Sequence, residues 1–309
     1  MASKLQIKGK ITATRNIRQI TKAMQMVAAS KMRKAQEAAL RARPYAKKAA
    51  SLLRNILRYV SKTNHTHSLF EKRGKKNLCL AVATSDKGLC GAFNGNVLRA
   101  AMKFLRDHED CNVDIVAVGR KGRDFFKKRN IRAVREFLNF SEQASSHDAH
   151  LLFEWLYEKY AAKEYDRVFF CSTSFLSVLQ QKVELYQLLP LSVKELNRLI
   201  ANIVPKTGKY SEFARNDEPS SAHYYLFEPS AKEILEQVMR FLASVQVFHL
   251  LLESNASEHS ARMVAMKNAS ENAERILEEL SRTLNTLRQT SITQELAEIT
   301  TAKEALTAE

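Results

Sequence analysis

Chain breakers are scarce in this sequence. Eight glycines and five prolines among 309 residues leave long stretches uninterrupted, and such a composition favours extended helices. Cysteine is scarce as well. Cys79, Cys90, Cys111 and Cys171 lie far apart with no CxxC pair. That argues against a thiolate zinc site or a disulfide scaffold and suits a reducing compartment. No run approaches the ~20 apolar residues that span a bilayer. The best stretch, Val245 to Leu252, is interrupted by Gln246 and His249. Acid is nearly missing from the first quarter. Residues 1–76 hold 20 Lys or Arg against Glu37 and Glu71, a net +18, while the remaining 233 residues hold 29 basic and 31 acidic side chains, a net −2. So concentrated a block implies a polyanionic partner: nucleic acid, anionic lipid or an acidic protein surface. An organellar transit peptide is also acid-free. This basic stretch, however, runs for about 60 residues with helical patterning, longer than such a peptide needs.

What is present divides the chain into three parts: an N-terminal helix over 1–65, an α/β domain over 66–228, and a C-terminal helix over 229–309. In the first, Ile17, Ile20, Met24, Ala28, Met32 and Ala35 advance in steps of three and four, and Ala-rich positions continue the pattern to Val60. That is the seam of a coiled coil. Its Ala-rich middle lets a partner helix approach closely, and Pro44 is expected to kink it or loosen one turn. Sixty helical residues reach about 90 Å. In the third part, Pro229 suits a first helical turn, and no further Gly or Pro follows. The seam from Leu235 through Leu252, Met263 and Met266 to Leu277, Leu280, Leu284 and Leu287 is again helical. Two long seamed helices at opposite ends of a chain pair most simply with each other, antiparallel.

The middle part changes texture. Asn77–Thr84, Val113–Val118, Arg167–Cys171 and Val183–Leu189 read as buried strands. Gly95–Asp107, Lys121–Arg129 and His147–Ala162 read as helices between them. That alternation indicates an α/β fold with a largely parallel, Rossmann-like sheet. Residues 205–222 read as a loop, and Tyr224–Phe227 as a possible last strand.

The sequence carries little that points to chemistry. There is no GxxxxGK[ST] and no GxGxxG. The short spacings Gly88–Gly91 and Gly119–Gly122 could cradle a phosphate after a strand, but tight strand-to-helix turns use Gly for backbone reasons alone. His147 and His150 lie one turn apart without a third ligand. Ser257, Glu258, His259 and Ser260 are consecutive on a helix and fan out around its axis, so they cannot converge as a triad. The methionines of both seams suit adaptable packing. This reading assigns no catalytic residue, cofactor or metal to the chain, which is expected not to be an enzyme on its own.

Three segments do carry a signature. The first is Ile17-Arg18-Gln19-Ile20-Thr21-Lys22-Ala23-Met24-Gln25-Met26-Val27-Ala28-Ala29-Ser30-Lys31-Met32. The second is Ser85-Asp86-Lys87-Gly88-Leu89-Cys90-Gly91-Ala92-Phe93-Asn94. The third runs from Ala256-Ser257-Glu258-His259-Ser260-Ala261-Arg262-Met263-Val264-Ala265-Met266 to Ile292-Thr293-Gln294-Glu295-Leu296. Together they resemble the gamma subunit of F-type ATP synthase, in the family's order and over essentially the whole chain. The resemblance implies a rotating central stalk, with two terminal helices forming an antiparallel coiled coil inside a hexamer of alpha and beta subunits. It also implies an α/β foot beside the epsilon subunit and the c-ring, and torque transmission that couples proton or sodium flow to ATP synthesis or hydrolysis. The beta lever loop of the family is acidic, which matches a basic shaft through weak, sliding ion pairs of about 0–1 kcal/mol each.

By the same resemblance, Lys22 and Met24 face the beta lever, and Lys87 and Cys90 belong to the same contact zone. Arg288, Gln289, Thr293 and Glu295 contact beta inside the hexamer. Tyr225, Phe227 and Glu228 meet epsilon and the c-ring. By spacing alone, Met24 is a seam residue and Tyr225 and Phe227 are strand core. The chain departs from the family at Leu284 and Thr286, where a Tyr and a basic residue are common. The plastid form's inserted dithiol has no counterpart, since no close Cys pair exists. These features imply a peripheral protein on the cytoplasmic face of a bacterial inner membrane, touching the membrane only through the c-ring and binding no nucleic acid. The competing reading is a basic coiled-coil nucleic-acid binder. That reading calls for aromatics interleaved with the basic residues, and the basic helix has only Tyr45 and Tyr59.

Overall fold

A computed structural model describes residues 4–60, 73–140, 145–190 and 231–307. Its backbone falls into two compact units, Met1–Ala28 with Arg262–Glu309, and Ala29–Ala261. Two long helices contribute to both: α1 (Lys4–Val60) and α5 (Ala231–Thr307). The helical assignment of α1 passes through Pro44 without a break.

The first unit is a helix pair. Arg18 Nη1 of α1 lies 2.8 Å from Glu274 Oε1 of α5. The covered face of α5 is the expected one: Met266 and Ala273 are buried, and Leu277, Leu280, Leu284 and Leu287 are half-buried. From Ile292 to Thr301 every residue is exposed. Only an antiparallel pair explains that pattern. Counting outward from Arg18–Glu274, Lys4 falls opposite Arg288, and α5 beyond that point outlasts the described part of α1. A parallel pair would cover the same stretch with α1.

The seam of α1 matches the expected one at Met24, Ala28, Met32 and Ala35, which are buried or half-buried, and departs from it at Ile17 and Ile20. Ile17 and Ile20 are 53% and 59% exposed. Before Met24 the covered stripe runs instead through Ile7, Ile11, Thr14, Arg18 and Thr21, and it joins the expected seam at Met24 and Ala28. Over that first stretch both stripes have helical spacing, one step of about 100° apart. Spacing cannot choose between them; the position of α5 does.

The second unit is built on a five-stranded sheet of order β3-β2-β1-β4-β5. The strands are β1 (Asn77–Ala83), β2 (Asn112–Val118), β3 (Ala133–Phe137), β4 (Arg167–Phe175) and β5 (Gln181–Leu189). The first four are parallel, and β5 runs antiparallel to β4. Helices α2 (Phe93–Asp107), α3 (Arg120–Lys127) and α4 (Ser146–Ala161) connect them. Central β1 is buried on both faces, so it reads as a continuous apolar run. Leu78, Leu80 and Val82 enter the core containing α2 and Phe126 of α3. Cys79, Ala81 and Ala83 enter the core containing α4 and Ala243, Val247, Leu250 and Leu251 of α5. Helix α4 begins with a capping box between Ser145 and Asp148, which satisfies two otherwise unpaired amides. Strand β3 was not anticipated from the sequence. Its five residues include Arg135 and Glu136, and three of the five are exposed, as befits a sheet edge.

Candidate functional site

The turn after β1 holds Lys87 and Cys90. Its first half is locked to the start of α3. Thr84 N donates to Val118 O at 2.7 Å, and Lys121 N donates to Ser85 O at 3.0 Å. Gly122 N donates to Thr84 Oγ1 at 2.8 Å. Gly119 sits at φ 99°, where a Cβ would lie 2.1 Å from Thr84 O. Asp86 Oδ1 accepts from Arg120 N at 3.0 Å. A helix N-terminus attracts an anion; here the Asp86 carboxylate already occupies that place. The GxxG of residues 119–122 therefore serves the packing of one turn on another.

The second half is tied by Asn94. Its Oδ1 accepts from Ser85 N at 3.0 Å, and its Nδ2 donates to Ser85 Oγ at 2.7 Å and to Cys90 Sγ at 3.1 Å. Ser85 Oγ donates onward to Lys87 O at 2.7 Å. Leu89 and Gly91 adopt φ 62° and 56°. For Leu89 that conformation costs about 1–2 kcal/mol, and its side chain is nevertheless 63% exposed. The turn thus presents Lys87 and Leu89 outward. Cys90 is 2% exposed and points into the turn's own hydrogen bonds. The resemblance named Cys90 and passed over Leu89 and Asn94. The Asn nine residues after Ser85 was a readable signal, because such a side chain can bridge turn amides.

In the first unit, Lys22 is exposed and Met24 half-buried. Arg288, Gln289, Thr293 and Glu295 are all exposed. Thr293 Oγ1 donates to Gln289 O at 3.0 Å, and Ser291 Oγ donates to Glu295 Oε1 at 3.2 Å. Around a helix of 3.6 residues per turn, Arg288 and Glu295 share one face while Gln289 and Thr293 share another. Leu284 faces the covered side, half-buried, and Thr286 donates to Arg282 O at 3.2 Å. Tyr225, Phe227 and Glu228, with the possible strand Tyr224–Phe227, lie outside the described residues.

Open α/β sheets usually bind ligands beyond the carboxyl ends of their strands, where the strand order reverses. Here that place lies between β1 and β4, and α5 reaches β4's end of it. Ser257 Oγ donates to Thr173 O at 3.4 Å, and Ser260 Oγ donates to Val178 O at 2.7 Å. Asn255 Nδ2 donates to Phe140 O at 3.3 Å. The buried polar run of α5 is therefore a structural clamp on carbonyls of β4 and of two loops. Ser257 and Ser260, three apart and so neighbours on one face, reach different acceptors.

Residues 3–306 match the family model described as ATP synthase. The ATP synthase gamma chain of Geobacter metallireducens is 40% identical over 308 residues, covering 99% of both chains. The chain belongs to the ATP synthase gamma chain family. The gamma chain of Pelotomaculum thermopropionicum is 37% identical over 306 residues, 99% of this chain and 100% of that one. The fold is also found in chains of two solved assemblies. One is the Euglena gracilis mitochondrial ATP synthase, with a TM-score of 0.63 at 20% identity, covering 98% of this chain and 94% of that one. The other is the Tetrahymena thermophila mitochondrial ATP synthase central stalk and c-ring, with a TM-score of 0.58 at 24% identity, covering 81% and 99%. Among the described residues no helix of this gamma-family chain is long and apolar enough to cross a membrane.

Proposed function

We propose that the chain is the rotating central-stalk subunit of an F-type ATP synthase. It transmits torque between an ion-driven c-ring and a catalytic hexamer of alpha and beta subunits, and itself performs no catalysis. It works as a peripheral subunit on the cytoplasmic face of a bacterial inner membrane, with epsilon beside its α/β domain. The observation that carries this reading is the full-length match to gamma chains at 40% identity. The geometry adds a physical account. Beyond Ser291, α5 has no described helix beside it, yet Ile292, Leu296 and Ile299 stand exposed in steps of four and three. A lone helix with such a stripe is suited to enclosure by a partner.

Coupling requires that the rotor contact beta differently at each angle, since a conformational change follows only from differential affinity. Arg288, Gln289, Thr293 and Glu295, polar and exposed on two faces of α5, supply such asymmetry. Lys22 and Lys87 offer exposed cations for the acidic lever. Cys90 acts through the shape of its turn, and Met24 through the fit of the helix pair. Tyr225, Phe227 and Glu228 are assigned to the epsilon and c-ring contact by resemblance.

The test replaces Arg288 and Gln289 together with Ala. Stability of the isolated chain should change by no more than about 0.5 kcal/mol. In complexes reconstituted into vesicles, both ATP turnover and ATP-driven ion pumping should fall. Wild-type values of both would remove these residues from the coupling surface.

A further inference from the structure

The outer edge of the sheet carries a charge concentration that torque transmission leaves unused. Between Gly119 and Glu136 the chain has eight Lys or Arg and two acids, a net +6 inside a region whose total is −2. Arg123 engages both acids, Asp124 at 2.8 Å and Glu136 at 4.0 Å. Lys127, Lys128, Arg132 and Arg135 are exposed. An open groove of about 670 Å³ lies among these groups, walled by Arg123 and Lys127 of α3 and lined along its length by residues 130–136. Strand β3 pairs with β2 on one side, and among the described residues no strand pairs with the other.

We propose that β3 is a docking edge for an acidic, extended segment of a partner protein. The segment adds a strand beside β3 and sets its carboxylates against Lys127, Arg132 and Arg135. An extended chain uses all three features at once: backbone groups pair with the edge, side chains enter the groove, and acids meet the cations. The same charges repel a second copy of this edge, so they both guard it and select its partner. A compact phosphate fits less well. It would meet the cations but leave the backbone edge of β3 unpaired. A lipid surface calls for large apolar side chains among the cations, and of the groove's lining Val134 is the large apolar residue that is exposed, at 42%.

The test uses the full chain and a peptide of alternating Glu and Val, with a Pro-interrupted version of the same charge as control. The basic N-terminal quarter also attracts acids, so the readout is local: amide hydrogen exchange of residues 133–137. The alternating peptide should slow that exchange, and the Pro-interrupted peptide should not. The variant Arg132→Glu/Arg135→Glu should weaken the protection by about tenfold in peptide concentration. Arg132→Gln/Arg135→Gln should weaken it less, and decides the matter if the first variant does not fold. Unchanged exchange at saturating peptide would overturn the proposal, as would equal protection by the Pro-interrupted peptide. Protection of this edge by phosphatidylglycerol vesicles or tripolyphosphate, without protection by the peptide, would assign the patch to anions instead.

Discussion

Replacing Gly119 by Ala probes the joint between the β1 turn and α3. Gly119 holds φ 99° and ψ 147°, a region that is nearly Gly-only and costs other residues about 1–3 kcal/mol. The new Cβ would also lie 2.1 Å from Thr84 O and 2.9 Å from Thr84 Oγ1. A backbone oxygen cannot rotate away, so the two turns must separate. Three hydrogen bonds depend on their spacing: Thr84 N to Val118 O, Gly119 N to Phe137 O, and Gly122 N to Thr84 Oγ1. Weakening them, at about 1 kcal/mol each, brings the expected loss to about 3–5 kcal/mol, which is large for one methyl group. Gly95 supplies the contrast. It lies in α2 with nothing within 4 Å of its would-be Cβ, so Gly95→Ala should stabilise by about 0.5–1 kcal/mol. Urea unfolding followed by Trp155 fluorescence reads both, because Trp155 packs 6.4 Å from the Phe137 ring, centroid to centroid. A Gly119→Ala variant within 1 kcal/mol of the parent would refute the claim that the two turns are locked, as would equal losses at both glycines.

Other outcomes follow from the same geometry. Ala28 is 2% exposed, so Ala28→Leu should overpack its site and cost about 1–3 kcal/mol by thermal unfolding of the chain. The Arg18–Glu274 pair is partly exposed on both sides; Arg18→Ala should therefore cost no more than about 1 kcal/mol by circular dichroism, and less in high salt. Burial pushes the Cys171 thiol up to about 12. Below about pH 9 the thiol is protonated whether folded or not, so its full contribution to stability is present there. Above that, the unfolded thiol ionises and the folded one does not, so stability declines as pH rises toward 12. The parent should lose about 1.4 kcal/mol per pH unit more than Cys171→Ala between about pH 9.5 and 10.5; equal slopes would place the thiol in water.

The sequence alone determined which elements exist and what kind of fold they make. Few breakers and unbroken three-four spacing specified α1 and α5, because helical period is a local property of the chain. The apolar runs of β1, β2 and β4 announced a parallel sheet covered on both faces, since only such burial tolerates no alternation. The long motifs around Lys22, Lys87 and Arg262 carried the family. Tertiary structure decided everything that depends on what lies across a gap. Ile17 and Ile20 have seam spacing yet face outward, because α5 lies against Ile7, Ile11 and Thr14. Strand β3 was hidden because, unlike β5 at the other edge, it leaves three of its five residues exposed and so needs no apolar pattern. The second basic cluster vanished in a regional sum, since acids distant in the fold cancel charge on paper but not across a Debye length of about 8–10 Å. Cys90 turned inward and Leu89 outward because Asn94 draws the turn closed around the sulfur. A side chain's direction in a turn is set by the hydrogen bonds that close the turn, and those partners come from several parts of the chain.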